Sequence, residues 1–202
     1  MPRYQAILFD FDGVLADSEP VHYACWRETL LPFGIDLQWD WYCANCIGVA
    51  DRRMIENICR NAAVPVDPAL VWPSYPSKQK LYAQRVIETP PFPPEVLALI
   101  HSLDDHRLAV VSSSGRAEIE PLLIRAGIRE RFEAVICGED VEHHKPAPDP
   151  YLLAARTLSV TRALVVEDSA AGLASGRAAG FDVLHIPHPS WLPDLLRGHL
   201  AS

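Results

Sequence analysis

The sequence predicts an α/β fold: a parallel sheet flanked by helices, broken by a mainly helical insertion. Three observations carry that expectation. Short apolar runs alternate with helical patterns from residue 107 to about 186. One further apolar run, "YQAILF" at 4–9, stands apart near the start. Nothing from 15 to 88 has the period or the apolar run of a strand. Strands joined through helices run parallel, and the helices then cover both faces of the sheet. The expected organisation is a core domain of residues 1–14 and 90–202, with residues 15–89 as a helical insertion.

Each element has its own signal. "YQAILF" ends at Asp10 and reads as a buried strand. "PVHYACWRETLLPFG" has Pro20 at a helix start and a Pro-x-Gly stop. "ADRRMIENICRNA" (50–62) repeats Met54, Ile55, Ile58 and Cys59 at helical intervals, and "PSKQKLYAQRVIE" (76–88) is helical too. "TPPFPP" (89–94) is a stiff connector. "RLAVVS", "EAVICG", "RALVVED" and "DVLHI" read as strands. Between them lie the helices "AEIEPLLIRAG", with Pro121 awkwardly inside it, "DPYLLAARTL", and "SAAGLASGRAAG" capped by Ser169.

Composition bounds the partners. The chain has 202 residues, 49% of them hydrophobic, enough for one sizeable core or a core with a smaller companion. Its formal charge of -8 repels phosphate backbones and suits a metal cation, so no nucleic-acid partner is expected. Five scattered cysteines include one close pair, "CANC" at 43–46. No second pair or nearby histidines complete a zinc site, and no strand precedes it for redox chemistry, so it reads as two thiols on a half-buried helix. With no secretory h-region and no membrane-length apolar run, the expected protein is soluble and cytoplasmic, with no membrane partner, and a monomer or weak dimer.

Ligands of open parallel sheets bind beyond the carboxyl ends of the strands. Here those ends carry Asp10 and Asp12, then Ser112, Ser113 and Ser114, then Lys145, then Glu167 and Asp168. Taken singly, Asp10 and Asp12 read equally well as a turn, the serines as helix caps and Lys145 as a solvated loop residue. At four successive strand ends they point to one site. Asp10, Asp12 and Asp168 repel one another unless a cation such as Mg2+ lies between them. Ser112 with the N–H groups of Ser113 and Ser114 suits an anion, and Lys145 adds a second positive charge. A carboxylate beside phosphorus, with cations to relieve repulsion, is able to form an aspartyl phosphate.

The four segments "FDFDGVLADSEP", "VVSSSGR", "KPAPDPY" and "VVEDSAAG" resemble the four motifs of haloacid-dehalogenase-superfamily phosphohydrolases. The branch is the one containing β-phosphoglucomutase, phosphoglycolate phosphatase and small sugar-phosphate phosphatases. The spacings fit: 102 residues from Asp10 to Ser112, 33 on to Lys145 and 23 on to Asp168. The resemblance implies a Rossmann-like core and a helical cap over residues 15–89 that closes on the site. It implies Asp10 as nucleophile, Asp12 as general acid and base, Ser112 as phosphate ligand and Lys145 as the cation at nucleophile and phosphate. Asp10, Asp168 and the Asp12 backbone carbonyl would hold Mg2+, with Glu167 ligating directly or through water. Asp12 argues against a true dehalogenase, which has no leaving alcohol to protonate.

The same resemblance implies a phosphatase acting on a small phosphorylated metabolite, of the sugar-phosphate or phosphoglycolate type. In the cap, His22 and Lys78 align with positions that β-phosphoglucomutase uses. The mutase arginine that grips a distal phosphate aligns with Asp51, with Arg52 and Arg53 beside it. The alternatives are a hexose-phosphate mutase and a non-catalytic binding protein on the same fold.

Overall fold

The structure, a computed structural model, describes residues 3–47, 49 and 51–201. They form two compact units: Ser18–Thr89, and the residues through Asp17 joined with those from Pro90 onward.

The first unit is helical. It comprises α1 (Glu19–Leu30), α2 (Trp39–Asn45), α3 (Asp51–Asn61), α4 (Pro68–Val71) and α5 (Tyr75–Glu88). Pro20 sits in the first turn of α1, where its missing N–H costs nothing. Beyond α1 the chain turns at Gly34, whose φ of 74° is left-handed. α3 buries Met54, Ile55, Ile58 and Cys59 on one face, against a core with Trp26, Leu30, Tyr42 and Val71. The helix read from Ala50 starts at a residue outside the described set. Cys43 lies half-buried on α2, and Cys46 caps it, buried. Burial pushes the Cys46 thiol up to about 12, with Glu19 adding to the shift.

The second unit is α/β. It runs β1 (Ala6–Phe9), α6 (Pro94–Ser102), β2 (Arg107–Val111), α7 (Arg116–Arg125), β3 (Ala134–Ile136), α8 (Asp149–Thr157), β4 (Ala163–Glu167), α9 (Ala170–Ala178), β5 (Asp182–His185) and α10 (Leu192–Leu200). The five strands are all parallel, in the order β3-β2-β1-β4-β5. This is the parallel α/β core that the alternation predicts. β1 is central, and Ile7, Leu8 and Phe9 are fully buried, each worth about 1.5–3 kcal/mol. Burial on both faces is why "AILF" is uninterrupted rather than alternating. One core face packs Leu8, Val111 and Val165 against Tyr151 and Ala154 of α8 and Leu158 just past its end.

Two features depart from the sequence reading. α6 begins at Pro94, inside the stretch read as a connector, because Val96, Leu99 and Ile100 form a buried stripe behind the prolines. α10 follows the last strand, burying Leu192 and Leu196. α7 runs from Arg116 to Arg125 with Pro121 inside it, as the sequence reading has it. Among the described residues, no helix is long and apolar enough to cross a membrane.

Candidate active site

The strand order places β1 between β2, which leads outward to β3, and β4, which leads outward to β5. The crevice beside the end of β1 is therefore the topological switch point, where open sheets bind ligands. The ladder carries past the strand ends. Asp10 N–H donates to Val166 O at 2.9 Å, and Ser112 N–H donates to Ile136 O at 2.9 Å. Asp10, Ser112 and Glu167 are thereby fixed by backbone bonds rather than by loop conformation.

After Asp10 the chain folds tightly on itself. Leu15 and Ala16 N–H both donate to Phe11 O, and Gly13 N–H donates to Ala16 O. Gly13 has a φ of 76°, and a Cβ there would fall on the Asp168 carboxylate. A glycine is thus required both by the turn and by the acid that lies over it.

Lys145 is the hub of the site. Its buried ammonium donates to Asp10 Oδ1 at 2.5 Å, Glu167 Oε1 at 2.6 Å and Val111 O at 2.9 Å. These use all three of its protons. The loop carrying it is tied down by Ser175 of α9, whose hydroxyl donates to Ala147 O at 2.5 Å.

Glu167 is fully buried and accepts five hydrogen bonds. Lys145 and the Tyr151 hydroxyl, at 2.8 Å, reach Oε1. Asp168 N–H, Ser169 N–H and the Ser169 hydroxyl reach Oε2 at 3.0–3.1 Å. A Cβ on Gly172 would collide with this carboxylate. Burial opposes ionisation of Glu167, but Lys145, Tyr151 and the Ser169 N–H outweigh it and hold the group below its usual range.

Asp10 and Asp168 are in the opposite condition. Burial pushes Asp10 well above the usual carboxylate range, and Glu167 and Asp168 push the same way against the pull of Lys145. Asp168 is raised to about 7, first by burial and then by Glu167. Asp10, Glu167 and Asp168 present oxygens within 4.8 Å of one another. With one ammonium among these acids, the set lacks positive charge, and a divalent oxygen-seeking cation fits the deficit. Asp10 and Asp168 fit as ligands. Glu167, whose oxygens are already filled by donors, fits as the group that orients Lys145.

The hydroxyl side of the site is more closed than expected. Ser114 N–H donates to Ser112 Oγ at 3.0 Å, and Ser114 Oγ donates to Asp12 Oδ2 at 3.2 Å. Ser112 is buried and Ser113 is exposed. At the start of α7, Glu139 accepts from Arg116 N–H at 2.9 Å, so a protein carboxylate occupies that helix end.

The remaining residues of interest lie in the helical unit. Lys78 is buried, with Nζ 2.7 Å from His22 Nδ1 and over the rings of Trp26 and Tyr82. His22 stacks on Tyr82 at 3.9 Å. Burial, with Lys78 adding, lowers His22 to about 3, so the ring is neutral and accepts from the ammonium. Asp51 accepts from Tyr75 OH at 2.5 Å, and the Arg52 guanidinium lies over Trp72 at 5.5 Å. Sequence reasoning gave no part to Tyr151 or Ser175. Tyr151 closes the quoted "KPAPDPY", and its position two turns beyond Lys145 was the available signal.

The haloacid dehalogenase-like hydrolase family profile matches residues 7–186. The chain belongs to this family. Fructose-1-phosphate phosphatase YqaB of Escherichia coli (strain K12) is 34% identical over 191 residues, which cover 91% of this chain and 97% of that protein. Among solved structures, CbbY from Rhodobacter sphaeroides in complex with phosphate is 29% identical with a TM-score of 0.65, covering 89% of this chain and 84% of that one. CbbY has also been solved with xylulose-1,5-bisphosphate. A HAD family hydrolase from Deinococcus radiodurans R1 with bound phosphate and sodium is 26% identical with a TM-score of 0.76, covering 98% and 89%. Family membership makes the chain a hydrolase with a Rossmann-like core, as the four motifs imply.

Proposed function

We propose that this chain is a Mg2+-dependent phosphatase that hydrolyses a small sugar monophosphate through an aspartyl phosphate on Asp10. One observation carries the reading: Lys145 holds the buried Asp10 carboxylate at 2.5 Å, with Asp168 alongside it. The similarity to a fructose-1-phosphate phosphatase supports a sugar phosphate as substrate class.

Asp10 attacks phosphorus while Asp12 gives its proton to the leaving oxygen. Asp12 then takes a proton from water, and the hydroxide so formed releases phosphate and restores the Asp10 carboxylate. Ser114 steadies Asp12 for both steps, and Ser112 and Lys145 face the phosphoryl oxygens. Bound Mg2+, held by Asp10, Asp168 and the Asp12 carbonyl, would neutralise charge on the phosphoryl oxygens. The helical unit would serve as the cap that the resemblance implies. His22, Lys78, Asp51 and Arg52 belong to its specificity surface. Five free cysteines support a reducing, cytoplasmic setting.

Asp51 favours hydrolysis over mutase chemistry. A mutase binds a bisphosphate in two orientations and needs a cap cation for the distal phosphate. By resemblance Asp51 aligns with that position; it accepts from the Tyr75 hydroxyl, and its negative charge would repel an anion. The test is a screen of purified protein with Mg2+ against hexose and pentose monophosphates, phosphoglycolate, xylulose 1,5-bisphosphate and nucleotides, scoring free phosphate. Release from a sugar monophosphate without a bisphosphate primer is expected. Conversion of β-glucose 1-phosphate to glucose 6-phosphate, primer-dependent and without phosphate release, refutes the reading in favour of the mutase.

A further inference from the structure

We propose that Tyr151 is a positioning residue for phosphoryl transfer, acting through Glu167 to hold the Lys145 ammonium against Asp10. The proposal rests on the reading of Asp10 as nucleophile, and its geometry is independent of that reading. Tyr151 lies on α8, fully buried in the core face beneath the sheet. Its hydroxyl donates to Glu167 Oε1, the same oxygen that receives Lys145. Lys145 Nζ also lies 5.1 Å from the Tyr151 ring centroid. The tyrosine thus meets the ammonium both directly and through the carboxylate.

The consequence follows from the division of bonds. Glu167 Oε2 is fixed by three donors from one turn of chain, but Oε1 has only two, Lys145 and Tyr151. Without the Tyr151 hydroxyl, Oε1 has Lys145 as its single donor and draws the ammonium more strongly. Lys145 is shared between Asp10 and Glu167, so any gain at Glu167 is a loss at Asp10. The nucleophile then loses part of the contact that aims it.

The sequence makes the test direct. The chain has only three lysines, Lys78, Lys80 and Lys145. The full chain labelled with 13C,15N-lysine therefore gives three side-chain signals, with Lys145 assigned from a Lys145→Arg sample. Tyr151→Phe, which keeps the ring and removes the hydroxyl, is expected to shift the Lys145 signal and leave Lys78 and Lys80 in place. An unmoved Lys145 signal overturns the proposal whether or not the chain is a phosphatase. On turnover, Tyr151→Phe is expected to lower kcat by about tenfold, with KM within about twofold and little change in Tm, the scale typical of groups that orient a directly acting residue. In a Glu167→Gln background the same substitution is expected to cost less than about twofold, because its route is gone. An undiminished cost in that background, or a KM effect alone, overturns it. A wild-type chain that hydrolyses no phosphate ester refutes the phosphatase reading, and the lysine signal then decides this one.

Discussion

Lys145→Met removes the one ammonium at the centre of the site while keeping length and apolar stem. Asp10 Oδ1 and Glu167 Oε1, 2.5 and 2.6 Å from that nitrogen, are then left facing each other in a buried space. Breaking a buried ion pair from one side costs about 3–5 kcal/mol. At about 2–4 °C per kcal/mol for a chain of this size, Tm falls by roughly 6–20 °C at pH 8. The sign of the pH dependence is fixed by the same geometry. Without the ammonium, a proton is the only available countercharge, so the folded variant holds a carboxyl proton that the unfolded chain releases near pH 4. Stability is therefore best conserved at low pH and is lost as pH rises. The assay is a series of thermal melts of both proteins in EDTA from pH 5 to 8, with turnover measured in Mg2+. A Tm difference below about 3 °C at pH 8, or one that grows on acidification, refutes the argument.

The other predictions use the same measurements. Asp10→Asn is expected to stay folded, with unchanged or higher Tm in EDTA because burial opposes its charge, and to lose at least about 10³-fold in turnover. Residual activity above about a tenth of wild type contradicts a covalent role. Gly13→Ala combines a left-handed φ with a Cβ directed into Asp168, so a lower Tm and weaker Mg2+ binding by calorimetry are expected, and unchanged Mg2+ affinity refutes the placement. EDTA is expected to abolish turnover and Mg2+ to restore it, whereas full activity in Ca2+ contradicts a geometry-sensitive metal role. Proton and cation compete for Asp168, raised to about 7, so the Mg2+ dissociation constant is expected to rise about tenfold per pH unit below about 7. A flat profile between pH 5.5 and 8 counts against Asp168 as ligand.

The strands were legible because burial on both faces leaves an apolar run that polar loops cannot imitate, as "AILF" and "ALVVE" show. With the strands came the residues just past their ends. The C-terminal and pre-β2 helices were not legible, since prolines at 90–94 and around 189–193 hide their apolar stripes. What Glu167 does was equally out of reach. Its identity as an acid is in the sequence, but its function depends on five donors that the fold assembles from the β3–α8 loop, α8 and its own turn. Ser114 and Asp12 meet across 102 residues for the same reason. Tyr151 has the look of an ordinary core aromatic until the carboxylate above it is seen.

The choice of cations follows from what each carboxylate needs. Of 18 basic residues only three are lysines; Lys78 is buried, and the side chain of Lys145 is only 6% exposed. Arginine serves the surface pairs, such as Arg107 with Glu133 and Arg131 with Asp104. A guanidinium presents a rigid fork that suits one carboxylate from one side, whereas an ammonium is a compact charge with three divergent donors. At position 145 the three partners are two acids and a carbonyl at the ends of three different strands, which no planar fork reaches together. Glu167 is thereby satisfied by protein alone, and Asp10 only in part. Asp168 is raised to about 7, first by burial and then by Glu167. The site is thus built with its charge compensation incomplete on the side where Asp10 and Asp168 meet. A divalent cation there would complete it, and would do so beside the oxygen proposed to attack phosphorus.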